Sequence, residues 1–268
     1  MSGVDLKQPL SRENCAVIWK GLGEYGVLRF PEQLISAAEL KQLAAGFGQP
    51  QVMSASKYFE PGIPEVLILS NVKENGVSIG KSDAGQFWHT DMTYNRVVGF
   101  VNAMVAYAVP HRDGKPWGAT EFTNTQAAYE DLPQELKSRL ANSYAIHDLN
   151  KSWQAQADKG TRAPLTAEQR RERPPTPHPV FLTHPLTGRK IIYVNPSHVI
   201  QIDGMPDEAS NRLLLQIYEH VLKPKSRSAH HWTGGAVLLW DPLGPWPNAV
   251  LAYGTAQPRR MNRSNASA

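Results

Sequence analysis

A mainly β fold with helices flanking it, of the jelly-roll sandwich type, is predicted by three features of the sequence. Its apolar runs are short and strand-like. The 21 prolines and 20 glycines in 268 residues punctuate those runs with turns, which suits a β-rich fold better than a helical bundle. Few segments carry helical periodicity, and the clearest is Asp207–Leu222, with Leu213, Leu214, Ile217, Tyr218 and Val221 on one stripe.

Taken in order, Gly26–Phe30 reads as a first strand. A helix follows over Ala37–Phe47, opened by the capping-box pair Ser36 and Glu39 and closed by Gly46 and Gly48. Val66–Ser70 and Asn102–Ala108 read as buried strands. Thr120–Phe122 reads as a strand entering a helix near Asn124. From about Lys151 to His178 the chain turns polar and proline-rich. That stretch reads as an inserted lobe or lid with one short helix, opened by Thr166 and Gln169, or as a plain surface excursion. Pro179–Thr183 and Lys190–Val194 form a hairpin around Leu186–Gly188, and Ser228–Trp232, Ala236–Trp240 and Ala249–Tyr253 are strand-like. No repeat or low-complexity tract interrupts this, so residues 1–268 read as one domain.

The net charge of +4 is modest and its basic residues are scattered, which argues against a nucleic-acid partner. Cys15 is the only cysteine, so no internal disulfide forms and a cytoplasmic location is expected. No run approaches a membrane span, and no signal peptide is evident. A homo-oligomer is left open.

The strongest chemical signal is Phe87-Trp-His-Thr-Asp-Met-Thr-Tyr94. His89 and Asp91 stand two apart, and on a regular strand both side chains would face one way. An imidazole and a carboxylate projecting together are two of the three ligands of a facial 2-His-1-carboxylate iron site. A bare His-x-Asp is weak evidence, and a hydrogen-bonded surface pair reads equally well from it.

The wider context resembles the taurine-dioxygenase-like (TauD/TfdA) family of Fe(II)- and 2-oxoglutarate-dependent dioxygenases. Trp88-His-Thr-Asp-Met-Thr-Tyr94 resembles that family's metal signature. Gly118-Ala-Thr-Glu-Phe122, followed by Ala127–Pro133, is similar to its Gly-Asp-Thr segment and the helix after it. His178-Pro, His184-Pro and Tyr193-Val-Asn195 are similar to its middle strands, and Trp232–Asp241 to the strand before its last metal ligand. The resemblance runs from about Gly21 to Arg263. It implies a double-stranded β-helix, Fe(II) on His89 and Asp91, and 2-oxoglutarate and O₂ as co-substrates. It also implies hydroxylation of a small organic substrate with release of succinate and CO₂. By position it assigns Thr120 and Arg259 to 2-oxoglutarate, with Arg260 as the adjacent competitor, and Arg263 to an anionic substrate. A guanidinium suits either task because its fork grips a carboxylate through parallel hydrogen bonds. Trp88, Tyr94 and Trp246 could line a pocket or simply pack.

The pattern breaks at the last metal ligand. Where the family places a histidine, this chain has Pro247, in Trp240-Asp-Pro-Leu-Gly-Pro-Trp-Pro247. Three prolines there are expected to weaken a sheet strand. Ala119 and Ala236 likewise replace common aspartates. Beyond Arg263 the sequence reads as a polar tail. His198, His230 and His231 are the nearest substitutes for the absent imidazole. The alternative reading is a jelly roll that binds a ligand or protein without turnover; a cupin-like non-redox metal enzyme fits less well, since cupins supply more histidines.

Overall fold

The computed structural model describes residues 3–52, 57–250 and 257–267. A seven-stranded antiparallel sheet runs Val27–Phe30, Val237–Trp240, Gly99–Ala108, Arg260–Ser267, Ile63–Ser70 and Phe59–Glu60, with Gln49–Pro50 pairing off Arg260–Ser267. A three-stranded sheet, Arg227–His231, Ala119–Thr123 and Pro247–Ala249, faces it. Leu67, Met104, Phe122, Trp232, Leu238 and Trp240 form the buried core between the two. This is the expected jelly-roll arrangement.

Strand Val237–Trp240 is an uninterrupted apolar run because both of its faces are covered. Leu238 and Trp240 pack inward. Val237 and Leu239 pack outward with Ile18, Leu22, Leu40 and Leu43 from helices Arg12–Tyr25 and Ala37–Ala45. A strand buried on both faces has no reason to alternate. Ser36 and Glu39 form the expected capping box. Helix Asp207–Val221 buries Leu213, Leu214, Ile217 and Val221 against a second core, each worth roughly 1.5–3 kcal/mol of removed apolar surface.

Several expectations are corrected. The polar tail is a strand, Arg260–Ser267, paired on both sides by Gly99–Ala108 and Ile63–Ser70. Asn262, Arg263, Ser264 and Asn265 on it are all buried. Its backbone ladder satisfies both neighbours, and that outweighs its unfavourable composition. The lobe holds more order than one helix. Lys151–Asp158 belongs to helix Leu149–Asp158, the second helix is Ala167–Glu172 with its Thr166/Gln169 capping box, and Thr176–Pro179 pairs with Tyr144–His147. A strand runs over Pro247–Ala249; most of the strand expected at Ala249–Tyr253 falls in residues 251–256, which lie outside the described residues. Pro242 and Pro245 fall in the loop before it, so only Pro247 enters the sheet.

Candidate active site

The segment from Gly80 to Asn95 has no regular strand, so a strand's alternation does not bring His89 and Asp91 together. They are held instead by tertiary bonds. The His89 backbone N–H donates to the Pro247 carbonyl at 3.3 Å, and Ala249 N–H donates to Gly85 O at 2.6 Å. The loop therefore lies along the outer edge of strand Pro247–Ala249. After Asp91, Met92 adopts a left-handed φ of 60°, an uncommon conformation for a side-chain-bearing residue. Asn195 then pins the loop by donating to Thr93 Oγ1 at 3.3 Å.

His89 Nδ1 lies 2.7 Å from the Phe87 carbonyl. A carbonyl can only accept, so Nδ1 is the donor and Nε2 is the ring nitrogen turned toward Asp91. That Nε2 is 3.6 Å from Asp91 Oδ1. Arg263 Nη2 donates to the same Oδ1 at 3.0 Å. Asp91 Oδ2 is buried with no partner among the described residues. Burial alone would raise the Asp91 pKa, but Arg263 and then His89 outweigh it and hold the carboxyl well below its usual range. An imidazole with its Nδ1 held by a backbone carbonyl and an ionised carboxylate thus converge, and these are the two side-chain types that hold a divalent metal.

Two cavities meet at His89 and Arg263, and Asp91 lines the larger of them. The smaller, about 40 Å³, is lined by His89, Thr120, Trp232, Pro247, Arg259 and Arg263. Thr120 is register-paired with Ala249, two residues from Pro247 on the same strand, so all three share one face. Trp232 Nε1 donates to Thr120 Oγ1 at 3.0 Å. Arg259 is fixed through its backbone, with Asn71 Oδ1 accepting from its N–H at 2.8 Å and Ser70 Oγ donating to its carbonyl at 2.7 Å. The adjacent Arg260 points elsewhere, to Glu60 at 3.6 Å and over the Tyr107 ring. The structure therefore separates the two competing arginines, and only Arg259 faces the cavity.

The larger cavity, about 140 Å³, is lined by Asp91, Tyr94, Trp153, His198, Arg263 and Lys81, among others. The sequence offered no signal for Lys81, Trp153 or Arg162, each a single residue in a loop or lobe. The Lys81 ammonium lies over the Trp153 ring at 5.7 Å, and the Arg162 guanidinium stacks on that ring at 4.6 Å. Burial first, and Arg162 second, push the Lys81 pKa down to about 8.

Pro247 lines the smaller cavity together with His89. Its carbonyl points to the His89 loop rather than to strand Ala119–Thr123. The N–H that proline lacks would point the same way, so the ladder loses nothing. Of the substitute histidines, His198 lines the larger cavity with His89. It is buried, and its pKa is pushed down to about 3, mainly by burial and then by His89. His230 packs edge-on against Trp232 at 4.8 Å, and His231 is exposed. Among the described residues no three His, Cys, Asp or Glu side chains assemble around one point.

Other motif residues are structural. Asp241 is buried against His184 and accepts from Leu243 N–H at 2.8 Å. Trp246 packs in the second core, edge-on to Tyr218. Trp88 packs at the margin of that core. Of the three aromatic residues considered for the pocket, Tyr94 lines it.

The chain is similar to known proteins in sequence and in fold. Residues 1–264 match the family model described as "Taurine catabolism dioxygenase TauD, TfdA family". A pentalenolactone F synthase of Streptomyces avermitilis is 28% identical over 255 residues, covering 91% of this chain and 82% of that protein. An alpha-ketoglutarate-dependent 2,4-dichlorophenoxyacetate dioxygenase of Burkholderia sp. is 29% identical over 223 residues, covering 78% and 69%. Among solved structures, AAD-2 in complex with Mn(II) and N-oxalylglycine superposes with a TM-score of 0.83 at 24% identity, covering 100% of this chain and 93% of that one. A putative alpha-ketoglutarate dependent 2,4-D dioxygenase from Burkholderia xenovorans gives 0.82 at 26% identity, covering 99% and 91%.

Proposed function

This chain belongs to the taurine catabolism dioxygenase TauD, TfdA family, a family of Fe(II)- and 2-oxoglutarate-dependent dioxygenases of small organic molecules, and from that premise we propose how its residues divide the work. His89 and Asp91 offer the metal donors. Thr120 and Arg259 hold the far carboxylate of 2-oxoglutarate in the smaller cavity. Arg263 sits at the wall shared by the two cavities, where it orients Asp91 and presents its remaining donors to an anionic substrate. The substrate's body occupies the larger cavity beside Tyr94.

When bound, the metal and co-substrate supply the oxidation, in which 2-oxoglutarate is decarboxylated to succinate and CO₂ as oxygen is placed on the substrate. The protein's own share is positional. The Phe87 carbonyl holds the His89 ring through Nδ1, Arg263 keeps Asp91 ionised, and Trp232 anchors the Thr120 hydroxyl. The metal fit is incomplete: two donors converge, and Pro247, which has no donor atom on its side chain, takes the place that the resemblance gives to the third.

The observation that carries the reading is the placement of His89 in the wall shared by the two cavities, with Asp91 lining one of them and Arg259 the other. Lobe residues 151–178 contribute Trp153 and Arg162 to the larger cavity wall, which supports their role as a lid on a single domain. A cytoplasmic enzyme without a nucleic-acid or membrane partner is supported by scattered charge and the single cysteine. No helix among the described residues is long and apolar enough to cross a membrane.

The test is calorimetric titration of 2-oxoglutarate into wild type, Arg259→Leu and Thr120→Val. Loss of one charge-assisted bidentate contact is expected to weaken binding by at least about tenfold in Arg259→Leu, and by less in Thr120→Val. Equal affinity in wild type and Arg259→Leu would remove Arg259 from the site.

A further inference from the structure

The larger cavity contains more cationic groups than its carboxylates can answer. Asp83 is taken by Arg162 and Asp91 by Arg263. Lys81 has neither an ion pair nor a side-chain hydrogen bond among the described residues; its one polar contact is the Trp153 ring. Its backbone is fixed nonetheless, since Lys81 N–H donates to Ile68 O at 2.9 Å and its carbonyl accepts from Ser70 N–H at 3.2 Å. The preceding Gly80 lets this approach happen: a Cβ there would fall 2.7 Å from Ser70. The chain therefore holds a half-buried ammonium against a cavity wall with no direct ion pair; Asp83 and Asp91 attract it only from a distance, and each is already bonded to an arginine.

Such an arrangement costs stability, because a charge taken from water is not repaid until it meets an opposite charge. Cation–π contact with Trp153 offsets only part of that. Arg162, stacked on the same ring, adds to the positive field facing the cavity.

We propose that Lys81, supported by Trp153 and Arg162 of the lobe, is a specificity-determining residue that receives the acidic group of the substrate, a carboxylate or a sulfonate, opposite Arg263. This rests on the larger cavity being the substrate site. Arg263 alone is poorly placed for the whole task, because one of its terminal nitrogens is committed to Asp91. Lys81 supplies three donors on a compact head that can follow anions of different shape.

The experiment uses the full chain as wild type, Lys81→Met and Lys81→Arg, saturated with N-oxalylglycine, with and without Mn(II). Thermal midpoints are titrated with phenoxyacetate, 2,4-dichlorophenoxyacetate, hexanoate, taurine and benzenesulfonate, each beside its neutral amide. At least one anion is expected to raise the wild-type midpoint more than its amide does. Lys81→Met should weaken that anion about tenfold to a hundredfold while leaving the amide unchanged, and Lys81→Arg should keep most of the affinity. The preference among carboxylates and sulfonates identifies the acidic group. The proposal is overturned if no anion is preferred over its amide, if Lys81→Met binds the anion like wild type, or if it loses acid and amide equally. N-oxalylglycine affinity is read separately in the same proteins. Failure there, with the anion response intact, would count against the assignment of the smaller cavity and leave Lys81 standing.

Discussion

Replacing Lys81 by methionine is expected to make the unliganded protein more stable at neutral pH. The lysine pKa lies at about 8 against an ordinary value of 10.5. At about 1.4 kcal/mol per tenfold, the folded state holds this charge roughly 3 kcal/mol less favourably than water does. Screening at the partly exposed end of the side chain lowers this to about 2 kcal/mol. Methionine keeps an unbranched apolar stem to pack against Trp153, so the substitution removes charge more than contact. The sign follows from linkage. Below pH 8 lysine is charged in both states and the folded state bears the whole cost. Between pH 8 and 10.5 the folded protein releases the proton first, so stability rises with pH through that window. Above it the cost has gone. Urea unfolding of wild type and Lys81→Met should therefore show the variant ahead by about 2 kcal/mol at pH 7 and close to level near pH 10.5. A variant equal to or less stable than wild type at pH 7, or a gap that does not narrow with pH, would refute the claim that this ammonium is half-buried with no direct ion pair.

Other perturbations test the remaining parts of the structure. Pro247→His should tighten Mn(II) binding on the order of a hundredfold, since structural metal affinities average about 3 kcal/mol per ligand. Electron paramagnetic resonance titration reads this directly, and unchanged affinity would mean that position 247 does not face the metal. A chain ending at Arg259 loses the strand that pairs with both Ile63–Ser70 and Gly99–Ala108; it should show no cooperative melt and should bind a hydrophobic dye. Ser36→Ala should cost about 1 kcal/mol by removing the hydroxyl half of the capping box, measured by the same urea unfolding.

Much of the frame was legible because local chemistry set it. Ser36 with Glu39, Thr166 with Gln169, and the stripe from Leu213 to Val221 each encode a helix within a few residues. Arg259, Thr120 and the His89–Asp91 pair were found through the resemblance, because motif order follows chain order. The C-terminal strand was missed for the opposite reason. Arg260–Ser267 is polar in composition, and it is a strand only because two strands distant in sequence offer it a ladder on each side. The reason given for the His89–Asp91 juxtaposition also failed, since the loop is shaped by Pro247 and Asn195 rather than by strand alternation.

What the sequence determined by itself is therefore the inventory: a β-rich chain, an imidazole and a carboxylate two residues apart, a proline where the resemblance expects a third donor, and two candidate arginines near the end. The tertiary structure decided which of these meet. It turned Arg259 inward and Arg260 away, committed Arg263 to Asp91, excused Pro247 from the ladder by directing its backbone toward a loop, and left Lys81 facing a cavity with no direct ion pair. Periodicity and capping act between neighbours in the chain and can be read from it. Pairing of charges, burial and cavity walls depend on which distant segments fold side by side, and those contacts exist only after folding.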